Sequence, residues 1–320
     1  MKRKPTFLPF NFGALEEKFS SLEVSRVVVL PIPYDSTASY QSGSKDGPLA
    51  IISASRNMEL FDEELGFSPC TLGIHTLPFL EPVVSSPDDM VKEVTEVVGE
   101  YVGLGKFVVM LGGDHILSVG AAKAVKKKHP SLGVVQLDAH ADMRNSYEGT
   151  RMNHACTGRR LAELGPLVQV GIRSMSEEEN EFLKRAGAGV GTGARGRRGS
   201  GAGKPAGSRK PAGKGHGIVT LPPSRAREFS NALAGLPDEV YLTIDMDVFD
   251  PSYVPSVGTP EPGGLSWQEV MGLMKQLAAK KTVVGMDVNE LRPIPGLVAS
   301  DFLAARLVYR LLGIFLKTGS

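Results

Sequence analysis

The sequence predicts an α/β fold, a three-layer α/β/α sandwich around a mostly parallel central sheet. Six short runs are apolar, β-branched and nearly continuous instead of alternating, as strands buried on both faces of a parallel sheet must be. Between them lie amphipathic stretches long enough to carry the chain back from the end of one strand to the start of the next.

The expected strands are Arg26 to Pro33, Phe107 to Leu111, Val134 to Leu137, Leu167 to Val170, Val240 to Ile244 and Thr282 to Met286. The expected crossover helices are Asp88 to Leu104, Val119 to Lys128, Ala155 to Leu164, Glu177 to Ala186, Ser224 to Leu233 and Ser266 to Lys280, with Ser300 to Leu316 closing the chain. Right-handed crossovers on both faces put ligands beyond the carboxyl ends of the strands. Those ends are where this sequence concentrates its aspartates and histidines.

A chain of 320 residues is compatible with one large domain spanning 1–320. No apolar stretch is long enough to cross a bilayer, so no membrane partner is expected. Met1-Lys2-Arg3-Lys4 is followed by Pro5, Pro9 and Asn11 before any apolar region develops, so no signal peptide is read. Cys70 and Cys156 alone cannot build a disulfide framework or a thiolate metal site, and a reducing, cytoplasmic setting is expected.

One stretch departs from this order. Gly187 to Gly217 holds twelve glycines, seven Lys or Arg and no acid, and has no apolar face of either period. Without it the chain carries 29 basic against 35 acidic residues, so this stretch alone brings the formal charge to +1. A Gly/Arg/Lys segment can bind nucleic acid through phosphate charge, but a solvated, disordered insertion is the plainer reading, and nucleic acid is not an expected partner. A strand lost here would leave a neighbouring sheet edge bare.

Three motifs carry chemistry, each following an expected strand. Gly112-Gly113-Asp114-His115 turns tightly and presents a histidine at the sheet edge. In Asp138-Ala139-His140-Ala141-Asp142, side chains two apart in an extended segment point the same way and can converge on a divalent ion. Asp245-Met246-Asp247-Val248-Phe249-Asp250-Pro251 places two acids beside a buried strand, where repulsion and lost hydration call for a cation. Together His115, Asp138, His140, Asp142, Asp245 and Asp247 form an oxygen-rich set that favours manganese over zinc.

These motifs resemble those of the arginase and agmatinase family. The resemblance extends to Pro33-Tyr34-Asp35-Ser36 with Gly43 and Gly47-Pro48, to Gly258-Thr259-Pro260 with Gly263-Gly264, and to Asp287-Val288-Asn289-Glu290. It covers essentially the whole chain outside Gly187 to Gly217. It implies an arginase/deacetylase-like sandwich holding two Mn2+ ions per subunit. One ion would be held by His115, Asp138, Asp142 and Asp245, the other by Asp138, His140, Asp245 and Asp247. A hydroxide between the ions would attack a guanidinium carbon. By the same resemblance Asp142, His154 and Glu290 are the catalytic residues: Glu290 binds the guanidinium, His154 passes a proton to the leaving amine, and Thr259 helps line the substrate site. A homo-oligomer, trimer or hexamer, is implied as well.

The arginase pattern for the amino-acid end of the substrate is not met, since Arg144 and Ser176 stand there. Asp142-Met143-Arg144 to Tyr147-Glu148-Gly149, with Asn153-His154-Ala155, resembles prokaryotic agmatinases. Agmatine, yielding putrescine and urea, is the first expected substrate; aminopropylagmatine, guanidinobutyrate and arginine are alternatives, and Arg144 suits a dicationic substrate only if it points away. Two readings from other classes are a non-catalytic metal-binding relative and a deacylase, the latter using a single metal.

Overall fold

A computed structural model of the chain describes residues 9–187 and 217–317. The order expected of the glycine-rich stretch therefore falls, for residues 188–216, outside the described residues. Eight strands run in chain order: β1 Val27–Ile32, β2 Ile74–Thr76, β3 Phe107–Gly112, β4 Gly133–Leu137, β5 Leu167–Val170, β6 Ile218–Leu221, β7 Glu239–Asp245 and β8 Thr282–Asn289. They form one sheet in the order β2-β1-β3-β8-β7-β4-β5-β6, and every pairing is parallel.

The α-helices among the described residues are α1 Glu17–Ser20, α2 Gly47–Ser55, α3 Pro87–Gly103, α4 Leu117–Lys128, α5 Thr157–Ala162, α6 Glu177–Arg185, α7 Phe229–Ala232, α8 Trp267–Lys280 and α9 Ala299–Leu316. Alternate residues of each strand enter opposite layers. On β3, Phe107, Val109 and Leu111 pack with α2, α8 and α9, while Val108 and Met110 pack with α3, α4 and α5. Continuous apolar strands thus feed two cores at once, which completes the three-layer α/β/α sandwich. No described helix is long and apolar enough to cross a membrane.

Local chemistry sets the helix boundaries. Ser176 with Glu179 and Ser266 with Glu269 form reciprocal capping boxes that start α6 and α8. Ser86 caps α3, with Pro87 in its first turn and Asp88 and Asp89 against the helix dipole.

Two expectations change. The helix expected over Ser224 to Leu233 is broken into a 3-10 stretch Pro223–Glu228, the single turn α7, and a second 3-10 turn Leu233–Gly235. Within it only Phe229 and Leu233 are buried, so no apolar stripe holds a continuous helix against the sheet. The crossover expected from Ala155 begins as a 3-10 turn, His154–Cys156, before α5. The strand expected to be lost from the glycine-rich stretch lies, for residues 188–216, outside the described residues; β6 begins at Ile218, pairs with β5 along its whole length and is itself the edge strand of the sheet.

Candidate active site

The four strands β3, β8, β7 and β4 are consecutive in the sheet, so four segments distant in sequence deliver their carboxyl ends side by side. His115 follows β3, Asp138 to Asp142 follow β4, Asp245 ends β7 with Asp247 just beyond, and Glu290 follows β8. All the expected ligand and guanidinium-binding residues meet there.

Close packing makes the approach possible. A Cβ on Gly113 would lie 2.3 Å from the Tyr34 carbonyl oxygen, so only glycine lets the β3 turn pass beneath the loop after β1. The Glu290 N–H donates to the Gly113 carbonyl at 2.8 Å, and the Glu290 carboxylate accepts the His115 N–H at 2.8 Å. Asp142 and Glu290 both take left-handed φ, 52° and 63°. Non-glycine residues are strained there, and the surrounding bonds hold them.

His115 is fully buried, and its Nδ1 lies 3.1, 3.5 and 3.3 Å from carboxylate oxygens of Asp138, Asp142 and Asp245. That nitrogen makes no hydrogen bond. The other ring nitrogen, Nε2, is 2.9 Å from the Thr243 hydroxyl, which itself donates to Asp287 at 2.6 Å. With its proton given to Asp287, Thr243 accepts from Nε2–H, so the Nδ1 lone pair faces the three aspartates. Asp287 is also held by the Ser118 and Tyr241 hydroxyls and the Asn289 amide.

The second group is Asp138, His140 and Asp247, with His140 Nδ1 2.8 Å from Asp247. Asp138 belongs to both groups. One of its oxygens accepts the Gln136 amide at 2.7 Å and the other the His140 N–H at 2.6 Å.

The electrostatics point to missing positive charge. Burial, with repulsion from Asp142 and Asp247, pushes the Asp138 carboxyl up to about 7. Burial and the charges of Asp247 and Asp138 hold Asp245 well above the usual carboxylate range. Burial opposes charge on His140, but the carboxylates around it win and raise it to about 11. Asp247, buried but paired with that imidazolium, falls to about 2. Burial and the nearby Asp114 hold Glu290 well above its ordinary value. An unpartnered lone pair on His115 and four crowded carboxylates form a donor set that fits divalent cations.

A small cavity of about 30 Å³, room for a water or two, is lined by His115, Asp142, His154, Asp245, Thr259 and Glu290. It adjoins an outer cavity of about 330 Å³, reached past Ser39, His154 and Thr259 and lined beyond them by Arg144, Tyr147 and Glu179. Arg144 does not point away. Its guanidinium lies over the Tyr147 ring at 4.7 Å, with Nε 4.0 Å from the Glu179 carboxylate. Thr37, Ser39, Thr243 and Asp287 were not singled out as site residues in the sequence. Each contributes one polar group to a partner more than forty residues away, and no local period marks such a pairing.

Residues 25–198 and 219–313 match the family profile described as Arginase family. The chain belongs to the arginase family. It is by that membership a ureohydrolase, a hydrolase of carbon–nitrogen bonds in linear amidines. This arginase-family chain is 39% identical over 312 residues to an N(1)-aminopropylagmatine ureohydrolase of Synechocystis sp., covering 93% of this chain and 91% of that protein. It is 30% identical over 295 residues to an agmatinase of Pyrococcus horikoshii, covering 90% and 91%. Among solved structures, the agmatine ureohydrolase of Thermoplasma volcanium superposes with a TM-score of 0.78 at 29% identity, covering 97% of this chain and 96% of that one.

Proposed function

We propose that this chain is a binuclear manganese-dependent ureohydrolase that cleaves a guanidino-terminated polyamine, N1-aminopropylagmatine, to urea and the corresponding triamine. Supporting this choice is the outer cavity of about 330 Å³ opening off the carboxylate cluster, which gives a tail longer than that of agmatine somewhere to lie. Agmatine itself, the substrate first expected, is the second reading. The stretch from Asp142 to Ala155, which resembles prokaryotic agmatinases, favours it.

In this reading one ion is held by His115, Asp138, Asp142 and Asp245 and the other by Asp138, His140, Asp245 and Asp247. The oxygen-rich set suits manganese. When bound, the ions supply Lewis acidity and a water made acidic near neutral pH. Glu290 receives the guanidinium, whose positive charge offsets the burial that raises this carboxyl above its ordinary range. His154, on the wall shared by both cavities, gives a proton to the leaving amine nitrogen. Tyr147 lines the cavity that would take the tail, with the Arg144 guanidinium over its ring, and Glu179 offsets the charge of Arg144. The proposed setting is a reducing cytoplasm, consistent with Cys70 and Cys156 both being free, and the proposed assembly is a homo-oligomer.

The test is urea release by manganese-loaded protein against N1-aminopropylagmatine, agmatine, guanidinobutyrate and arginine. The highest kcat/KM is expected for the first. Preference for agmatine would select the second reading, and no urea from any of the four would refute the proposal. In the same assay His154→Ala should lower kcat roughly 10²–10⁴-fold with metal content unchanged.

A further inference from the structure

We infer that Thr37 and Asp114 are positioning residues for His154, fixing which of its ring nitrogens faces the cavity. The inference rests on His154 as the proton carrier of the proposed reaction, and it follows from counting protons in one hydrogen-bonded chain.

Asp114 is buried beside His115, and its carboxylate is ringed by donors. One oxygen accepts the Thr37 N–H at 2.9 Å and the Thr37 hydroxyl at 2.7 Å, and the other accepts the Ile116 N–H at 3.2 Å. A hydroxyl has one proton, and that of Thr37 is committed to Asp114. What Thr37 has left is lone pairs, and both of its remaining neighbours belong to His154: the backbone N–H at 2.9 Å and Nδ1 at 3.2 Å.

Thr37 can therefore only accept from Nδ1, so Nδ1 carries the ring proton. A neutral imidazole has one donor and one acceptor nitrogen, which leaves the lone pair on Nε2. That nitrogen is 3.3 Å from the Ser39 hydroxyl on the cavity wall. Ser39 donates to Nε2 when the ring is neutral and can rotate to accept when Nε2 is protonated. Proton exchange is thereby confined to Nε2, the nitrogen paired with Ser39 on the cavity wall.

The backbone around the ring is fixed as well. Asn153 accepts the Ala155 N–H at 3.0 Å to start the 3-10 turn, and the Tyr147 ring meets His154 edge-on at 6.2 Å. The chain uses the same device behind His115 with the opposite outcome. There Thr243 and Asp287 keep the proton on Nε2 and free Nδ1 for a cation, whereas at His154 the proton stays on Nδ1 and Nε2 is free.

Ring-nitrogen NMR on the full chain tests this, with 15N-labelled histidine, zinc as a diamagnetic ion, and a pH of about 9, above the ordinary imidazole range. With six histidines in the chain, His154 is assigned from the signals lost in His154→Gln. The Nδ1–H form should dominate in the parent, give way to a mixture in Thr37→Val, and return in Thr37→Ser. With manganese, Thr37→Val should lower kcat on the order of 10- to 10²-fold while KM and metal content stay within a few-fold, and Thr37→Ser should recover most of the loss. A parent in the Nε2–H form, or an unchanged form in Thr37→Val, would overturn the inference. The parent measurement does not depend on Thr37→Val, so a Thr37→Val protein that fails to fold still leaves it refutable. If the tautomer answers to Thr37 while His154→Ala turns over normally, the wiring stands and the proton-carrier role falls.

Discussion

Two acid clusters in this chain are satisfied in opposite ways. Asp62, Glu63 and Glu64 surround the Arg310 guanidinium at 2.7–2.8 Å; Arg310 on α9 and Asp62 in the loop after α2 are buried, whereas Glu63 and Glu64 reach the guanidinium from the surface. Asp138, Asp142, Asp245 and Asp247 are equally buried, yet among the described residues no lysine or arginine pairs with their carboxylates. A third case, Asp250, has no cation but is met by the Ser252 hydroxyl and by backbone N–H groups of Ser252, Gly263 and Gly264. Buried acids must be balanced by something. Where four buried carboxylates face two imidazoles and no lysine or arginine among the described residues, an external cation is what the cluster is shaped to take.

The sharpest way to break this contrast is Asp245→Asn, a ligand to both proposed ions. Activity should fall on the order of 10³-fold or more, a loss of several kcal/mol of transition-state stabilisation, and elemental analysis should find fewer than two ions per chain. A variant that retains two ions and normal turnover would remove Asp245 from the centre.

Arg310→Met attacks the cluster that carries its own cation. Leaving Asp62 buried without it should cost about 3–5 kcal/mol of folding stability, measured by urea unfolding. Saturating manganese should not repair the deficit, since the two clusters do not share a counterion. Glu290→Gln should act on substrate instead. Losing a charge-assisted contact of about 1.5–3 kcal/mol should lower kcat/KM roughly 10- to 10²-fold while metal content stays intact; loss of manganese in that variant would move Glu290 into the metal centre.

The smallest effect is expected from Asp250→Asn. Hydrogen bonds from Ser252 and the backbone hold the Asp250 carboxyl down to about 2. A folded value depressed below the unfolded one means the stabilisation is complete above about 4 and disappears as pH falls through about 2. The urea midpoints of parent and variant should differ slightly at neutral pH and converge in that acid window. A gap that persisted below pH 2 would show that the bonds depend on shape and not on charge.

The two clusters also differ in how well the sequence announced them. The catalytic acids follow continuous apolar strands at a spacing of two, so β4 and β7 and their motifs were legible together. The Arg310 cluster pairs α9 with residues some 246–248 positions away, and nothing local marks it. The same contrast runs through the fold. β5 falls where its apolar run predicts, whereas β2 has only three residues at one sheet edge, and β6, no shorter than β5, directly follows the glycine-rich stretch that shows no apolar period. α2 was missed because its Gly47-Pro48 start, Ile51, Ile52 and Ser55 are buried without a polar stripe opposite to give an amphipathic repeat. His115 and His154 were legible as candidate site residues; Thr243 and Thr37, which hydrogen-bond their rings, were not, because a hydrogen bond's direction depends on partners that only the folded chain brings together.

The strand order has a consequence for how the protein is made. β8, the last strand synthesised, lies between β3 and β7, in the middle of the sheet. Until it emerges, those two strands have no common neighbour, and each presents an open edge to whatever lies near. The nascent chain can assemble helices and strand pairs on either side of the gap, but it cannot join them. The strand that closes the gap is the one that carries Glu290 to the carboxylate cluster, so an incomplete chain is at once aggregation-prone and, on the role proposed for Glu290, unable to take its substrate.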